Sequence, residues 1–476
     1  MITDHAGVSL SRMPHSLYLC GATTRMLRSP GGAHCDRQRV WHERKGTILL
    51  ISACRHRWLW SLAGLLAVLV APAASAQQYF DPGIMQRSIQ QKPVDYQPVG
   101  ARIGSFHLFP GVDLGWEHND NVFYLPEDEL DDDILHVRPW ANLVSNWNRH
   151  ALNASASADF ASYSDYGAND YEDWTTQLDG RIDVRRDDWF SYDAQWMHLH
   201  EDRRSPDARF GVEPTVFDYG GYGAGYDHVF NRLKLGVYYN HSFFDYDNNR
   251  TIDGDVIDNQ DRNREQDRLT LRGDWQLGPE TAIFATWGMN DIDYDQPLDD
   301  NGYHRDSSGT GVSVGVAWDM TDLLTGDLSL GWSEQDYDDP RLQDVDGLNL
   351  GAGLTWTPRQ TTLVNVRFAG GPQETTQPGT SGYFSQLYSV RVQQEVMPNF
   401  LLHLRGSWTT NNYENPGMSD TELEDTDVTR WGLGASYLFN RNLSLTVGYT
   451  RESQDANLGT FDYDTNRYFL NLGVEL

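Results

Sequence analysis

From Ser105 to the last residue, apolar side chains recur at every second position, in runs broken by turn residues. The first run sets Phe106, Leu108, Pro110, Val112, Leu114 and Trp116 on one face, with His107, Asp113 and Glu117 on the other. Successive side chains of a β-strand point to opposite faces, so this period predicts strands with one apolar and one polar surface. It returns in Leu135/Val137/Pro139/Ala141/Leu143, in Leu269/Leu271/Gly273/Trp275/Leu277, and in Tyr468/Leu470/Leu472/Val474/Leu476. Runs near 215–229, 281–292 and 383–396 are less regular but fill the gaps.

The connections alternate in length. Eight are short, near Asn148-Arg149, Asp187-Asp188, Asn231-Arg232, Gly278-Pro279, Thr321-Asp322, Pro358-Arg359, Pro398-Asn399 and Asn440-Arg441. Nine longer, acidic stretches separate them, among them Glu127–Asp133, Asp245–Asp261 and Glu414–Asp427. Seventeen connections join 18 strands. An even number of antiparallel strands, with short turns at one end and long loops at the other, predicts an all-β transmembrane barrel with periplasmic turns and extracellular loops. A propeller is the competing repeat architecture, but it needs four strands per repeat, whereas each repeat here holds two.

The apolar face is read as facing lipid. The opposite face is polar and charged along its whole length, as a wet lumen requires. Aromatic residues gather at run ends (Trp116, Trp147, Trp196, Trp275, Trp318, Trp332, Trp356, Trp408, Trp431), where interfacial girdles sit. Closing the sheet leaves no backbone N–H or C=O unpaired in hydrocarbon. A mean hydropathy of −0.58 excludes several helical spans but not a barrel, whose lumen and loop residues outnumber the lipid-facing ones.

One long apolar run, Leu59–Val70, follows Arg55, His56 and Arg57 and precedes Ala74-Ser75-Ala76. That order predicts a secretory signal peptide over 51–76. The run is too short to span a bilayer, which takes roughly 20 residues. Residues 1–50 are read as an upstream extension from a misassigned start codon, and 77–102, rich in Gln and Pro, as a periplasmic arm before a barrel over 103–476.

Composition narrows the partners. The 476 residues carry 37 Lys+Arg against 68 Asp+Glu, a net charge of −31. Nine basic and three acidic residues lie in 1–76, leaving 28 basic and 65 acidic, or −37, for the rest. So acidic a body has no phosphate-binding footprint, and nucleic acid is not expected as a partner. All three cysteines (Cys20, Cys35, Cys54) precede residue 77, so the mature chain holds no thiolate site or disulfide frame.

Several short motifs resemble one family. Gly104-Ser105-Phe106 with Pro110, then Asn119-Asp120-Asn121-Val122-Phe123, look like the opening of the putative β-barrel porin 2 family. Arg138-Pro139, Asn148-Arg149-His150-Ala151-Leu152, Arg204-Ser205-Pro206-Asp207-Ala208 and Arg305-Asp306-Ser307 with Gly309 are similar to it too. The resemblance spans roughly 103–476. It implies an outer-membrane barrel of a Gram-negative bacterium, of a kind often encoded among exopolysaccharide and capsule export genes. It also implies passage of polysaccharide beside a periplasmic or outer-membrane export protein.

Register places Arg138, Arg181, Lys234, Arg268, Arg272, Arg367, Arg405 and Arg467 inward, with Asp113, Asp159, Asp179, Asp183, Asp193 and Asp274. Arginine forks suit carboxylate or sulfate groups on an acidic polymer, and lumen charge tunes selectivity. The competing reading is a set of cross-strand ion pairs that stiffen the wall. Trp140 and Phe109 also point inward, to stack on sugar rings or to fill the lumen. Acidic loop runs such as Asp131-Asp132-Asp133, Asp336-x-Asp338-Asp339 and Asp291-x-Asp293-x-Asp295 read as solvated surface, since Gln296 stands where a calcium loop needs glycine. His198-x-His200-Glu201 lacks a third metal ligand. A Gly-x-Ser-x-Gly nucleophile elbow belongs to a different fold, so no hydrolase is expected on that ground. The expected protein is a polysaccharide-export channel without cofactor or catalytic activity. The alternatives are a general diffusion porin and, further off, an outer-membrane hydrolase acting on lipid or glycan.

Overall fold

The computed structural model describes residues 92–205, 207, 208, 211–321, 323–414 and 423–476. The upstream extension, the export signal and residues 77–91 of the arm lie outside the described residues.

Eighteen long strands form one sheet: β1 (Phe106–Asn119), β2 (Asp132–Ser145), β3 (Ala151–Tyr163), β4 (Tyr171–Asp183), β5 (Asp188–His200), β6 (Val216–Phe230), β7 (Leu233–Tyr246), β8 (Arg264–Gly278), β9 (Thr281–Tyr294), β10 (Ser307–Thr321), β11 (Leu324–Tyr337), β12 (Val345–Arg359), β13 (Thr362–Glu374), β14 (Gly382–Met397), β15 (Phe400–Glu414), β16 (Asp425–Leu438), β17 (Leu443–Ala456) and β18 (Tyr463–Glu475). The three irregular runs of the sequence are thus β6, β9 and β14. Each strand pairs antiparallel with its successor, and β18 pairs with β1 from Gly111↔Glu475 to Asn119↔Arg467. The sheet is therefore a closed barrel with no edge. A short strand, Ala101–Ile103, adds to the start of β1.

Strands of 13 to 16 residues exceed the roughly 9–11 that cross hydrocarbon, so each projects beyond it. Register shifts recur at short-turn ends, between Gln276 and Gly278, Asp319 and Thr321, Trp356 and Arg359, and Glu395 and Met397. Such bulges add local twist where the chain reverses. The Asn231-Arg232 turn puts Asn231 at φ 54°, a left-handed conformation that Asn tolerates.

The apolar face points out. Leu135, Val314 and Leu433 are 58%, 61% and 53% exposed to the surroundings of the barrel. In water that surface would be a large penalty, and against acyl chains it is the required one. Trp116, Trp174 and Trp196 project near the long-loop end, and Trp147, Trp275 and Trp356 near the other. Trp318 departs from the girdle reading. It is only 6% exposed, with Val316, Leu328 and Leu354 packed around it. No helix among the described residues is long and apolar enough to cross a membrane.

Candidate functional site: a charged lumen closed by its own loops

Pairing in register puts directly opposed residues on the same face, so the inner wall is read strand by strand. On β2 to β8 several of the inward charges are paired, although Asp179 and Asp193 stand directly opposite each other. Arg138 Nε lies 2.7 Å from Asp159 Oδ2, Arg181 2.6 Å from Asp183, and Arg272 2.7 Å from Asp274. Lys234 Nζ stands 3.5 Å from Asp227 and 3.6 Å from Asp274. Asp179 accepts a bond from Asn153, and Asp193 faces Gly223. Arg268 sits between Asn240 and Asn290. For Arg138, Arg181, Lys234 and Arg272 the ion-pair reading describes the geometry.

The wall from β13 to β18 differs. Its inward charged positions include Arg367, Arg391, Arg405, Arg430 and Arg467, with Glu452 inside the wall and Glu395 at its rim. Arg391 and Arg430 escaped the sequence reading. Arg391 lies in the irregular run, and Arg430 one position before the apolar run that starts at Trp431.

Below this wall, on the short-turn side, lies a cavity of about 600 Å³. It is lined by Asp113, Trp140, Asn142, His403, Arg405, Phe469 and Asn471, and by the arm at Lys92–Val94. Trp140 can lie flat because its register partner is Gly111, where a Cβ would stand 2.4 Å from the ring. Phe109 packs under Gly100 of the arm instead of pointing freely inward. Lys92 is ion-paired with Glu475, which ties the arm beside the C-terminus.

At the long-loop end the loops fold inward. The segment between β5 and β6 reaches across the lumen. Arg204 Nη1 donates to Glu452 Oε1 on β17 at 2.5 Å, with both side chains almost fully buried. Glu452 also accepts from Arg430 (2.6 Å), Arg467 (3.1 Å) and Tyr463 (2.9 Å). The same segment holds Arg262 through Glu201, in a bidentate pair of 2.9 and 2.5 Å. Asp207 accepts from Thr375 Oγ1 (2.5 Å) and the Thr376 amide (3.1 Å) in the loop after β13. Eight steps around an 18-strand ring separate the two loops, so the tie is nearly diametric. Tyr124, at φ 53°, sits under the Arg204 guanidinium at 5.1 Å. A bulky residue held left-handed costs on the order of 1–3 kcal/mol and persists only where surroundings enforce it.

Of the acidic runs expected to be solvated surface, Asp131, Asp133, Asp291, Asp293, Asp295, Asp336 and Asp338 are exposed, whereas Asp132 and Asp339 are buried, Asp132 capping the amides of residues 164–166. Elsewhere in the long loops Asp261 and Asp299 are buried as well. Arg203, Arg204, Arg262 and Arg305 are the signal that reading passed over: basic residues inside acidic loops find partners there. His198 and His200 engage separate carboxylates, Asp218 and Asp173.

Burial pushes the Asp202 carboxyl up, but the Arg204 guanidinium beside it outweighs this and holds it below the usual carboxylate range. A depressed native pKa adds stability above the unfolded value of about 3.9, and the contribution is lost as pH falls through the native one. The Asp202–Arg204 contact should therefore hold the inward loop from neutral pH down to about 4 and weaken only in stronger acid. Current through planar bilayers, recorded against pH, checks this. Opening that begins near neutrality would contradict it.

No curated protein matches the sequence. Three solved structures illustrate the similarity found. OpdO of Pseudomonas aeruginosa is 15% identical, covering 79% of this chain and 98% of its own, with a TM-score of 0.40. OccAB4 of Acinetobacter baumannii is 13% identical, covering 78% and 98%, at 0.41. The siderophore receptor PirA of Pseudomonas aeruginosa is 9% identical, covering 78% and 80%, at 0.38. The model of a family described as "Putative beta-barrel porin 2" matches residues 92–476. With its closed 18-stranded wall, apolar outside and charged inside, the chain is a porin-like outer-membrane β-barrel and belongs to the putative beta-barrel porin 2 family.

Proposed function

We propose that the protein is the outer-membrane channel through which an exopolysaccharide or capsular polysaccharide leaves the cell. The short-turn end faces the periplasm, where an export protein delivers the polymer, and the long-loop end faces outward. One observation carries this reading: the lumen is spanned by the loop after β5, clasped to Glu452 on β17 and to Thr375 after β13. Both side chains of the Arg204–Glu452 pair are almost fully buried, which supports a conduit held shut by this loop. A bore wide enough for a hydrated polymer would leak if it stood open. A general diffusion porin has no need of such closure, since 16–18 strands can enclose an aqueous channel.

Deleting the gene should leave polymer trapped in the periplasm, and restoring it on a plasmid should return polymer to the surface. Normal surface polymer in the deletion strain, together with swelling of liposomes in small neutral sugars, would reject export in favour of diffusion.

A further inference from the structure

The lipid-facing side of the wall is not evenly bulky. Gly273 on β8 and Ala285 on β9 are direct register partners, so two adjoining outward positions carry almost no side chain. Around them Leu235 and Val237 on β7, Leu271 on β8 and Trp287 on β9 all project outward. A Cβ at Gly273 would stand 3.4 Å from Leu235 Cδ2, an ordinary contact, so the gap is not filled from its sides. The result is a groove of about 750 Å³ on the outer surface, apolar along its length, that reaches Phe230 at the short-turn end of β6.

That end of the groove is polar. Tyr226 and His228 line it, and both engage Asp188, the first residue of β5: the Tyr226 hydroxyl donates to Oδ1 at 2.9 Å, and His228 Nδ1 meets the same oxygen. Asp188 itself is buried. Arg232 follows Phe230 by two residues, exposed and with no side-chain partner among the described residues. Its carbonyl accepts from the Gln276 amide at 2.8 Å, which ties the turn to β8 three residues from Gly273. At about 3.3 Å per residue the arginine turn stands on the order of 10 Å from the floor of the groove. The neighbouring β4–β5 turn is held to β6 by the Val229 amide and the Asp187 carbonyl (2.9 Å), and brings exposed Arg185 and Arg186 beside the exposed Asp187. The turn after β8 contributes exposed Glu280. Arginine therefore outnumbers carboxylate along this stretch of rim.

A gap on this face opens into hydrocarbon, and lining atoms without neighbours forfeit their dispersion contacts, so an acyl chain settling there is favoured. Guanidinium forks match phosphate oxygens. The spacing leaves room for a glycerol backbone between a phosphate at the rim and a chain in the groove. A second copy of this chain suits the groove less well: a two-fold contact is isologous, so it would set the arginine rim of one barrel against the same rim of the other. We propose that this groove binds one glycerophospholipid from the leaflet at the short-turn side, with an acyl chain over Gly273 and Ala285 and the phosphate on Arg232. Arg185 and Arg186 favour an anionic headgroup. The site lies outside the lumen and is independent of what the channel carries.

The test uses the full protein purified from outer membranes and stripped of lipid by detergent exchange. Native mass spectrometry reads retained lipid, with dioleoylphosphatidylglycerol, dioleoylglycerol and inorganic phosphate as probes. One phosphatidylglycerol should stay on each barrel, at least about tenfold more tightly than dioleoylglycerol, which has the same chains and no phosphate. R232Q should weaken retention by about tenfold, while R441Q, in the β16–β17 turn, should leave it unchanged. Gly273→Leu and Ala285→Leu fill the groove with a side chain suited to a lipid-facing strand, and each should weaken retention by more than about tenfold. Their heat-dependent shift on gels should match the parent, and R232Q tests the site without touching a strand. Equal retention of phosphatidylglycerol and dioleoylglycerol would overturn the proposal, as would parent-like retention by R232Q or by both leucine variants. Displacement of the lipid by inorganic phosphate at equal concentration would show a simple anion site and overturn it. Oligomers of the parent that Gly273→Leu dissociates would make a second copy the occupant, and overturn it as well.

Discussion

Replacing Glu452 with alanine should cost about 3–5 kcal/mol of unfolding free energy and open the channel. Glu452 is 1% exposed and is the shared acceptor of Arg204, Arg430 and Arg467, with the Tyr463 hydroxyl as a fourth donor. Removing it leaves three buried guanidiniums without their common counter-ion, the expensive way to break a buried pair. Two of those arginines are on the barrel wall and one is on the inward loop. Stability and closure should therefore fall together. Glu452→Gln keeps the volume and one acceptor oxygen, and should lose less of each. Urea unfolding in detergent gives the stability, and planar-bilayer conductance gives the closure. A Glu452→Ala barrel of parental stability and parental conductance would show that the loop is not held at this point.

Arg305→Ala should be comparably severe, at about 3–5 kcal/mol, through a different contact set. Arg305 is 1% exposed and lies in the loop after β9. Its Nη1 donates to the carbonyls of Thr375 (2.8 Å), Thr380 (2.6 Å) and Ser381 (3.2 Å), and its Nε to Asp299 (2.8 Å). Truncation would strand a buried carboxylate and deprive three carbonyls of this donor. Lysine should not restore the loss, because one ammonium cannot reproduce the planar fork that reaches these acceptors together. The expected signature is protease cleavage within 375–381 on intact outer membranes, with the Arg204–Glu452 contact still closed. If Arg305→Lys behaved as the parent, charge alone would suffice and the fanned hydrogen bonds would carry no weight. The Glu452→Ala and Arg305→Ala losses should add, since the two share no partner.

The loop arginines also explain where sequence reading stopped. The strands were legible because alternation is local: each side chain's face follows from its neighbours two positions away. Even the inward parity of Arg138, Arg181, Lys234, Arg272, Arg367, Arg405 and Arg467 could be read that way. Their meaning could not. Arg181 meets Asp183 two residues along its own strand, whereas Arg405 meets Arg391 across a hairpin. Nothing in either local run tells what will stand opposite an arginine, because that depends on which residue the adjacent strand delivers. Trp318 shows the same limit at the outer face, where its neighbours Leu328 and Leu354 lie on other strands.

By itself, then, the chain determined a closed transmembrane sheet of 18 strands, greasy outside and charged within. A period of two, repeated between turns, is enough to specify the faces and to put the strand number near 18. Which charges cancel, which repel, and which loop crosses the bore were settled only on closure. Arg204 and Glu452 are 248 residues apart in sequence and meet across the lumen because bending the sheet into a ring brings β17 within reach of the loop after β5. No local pattern encodes that distance.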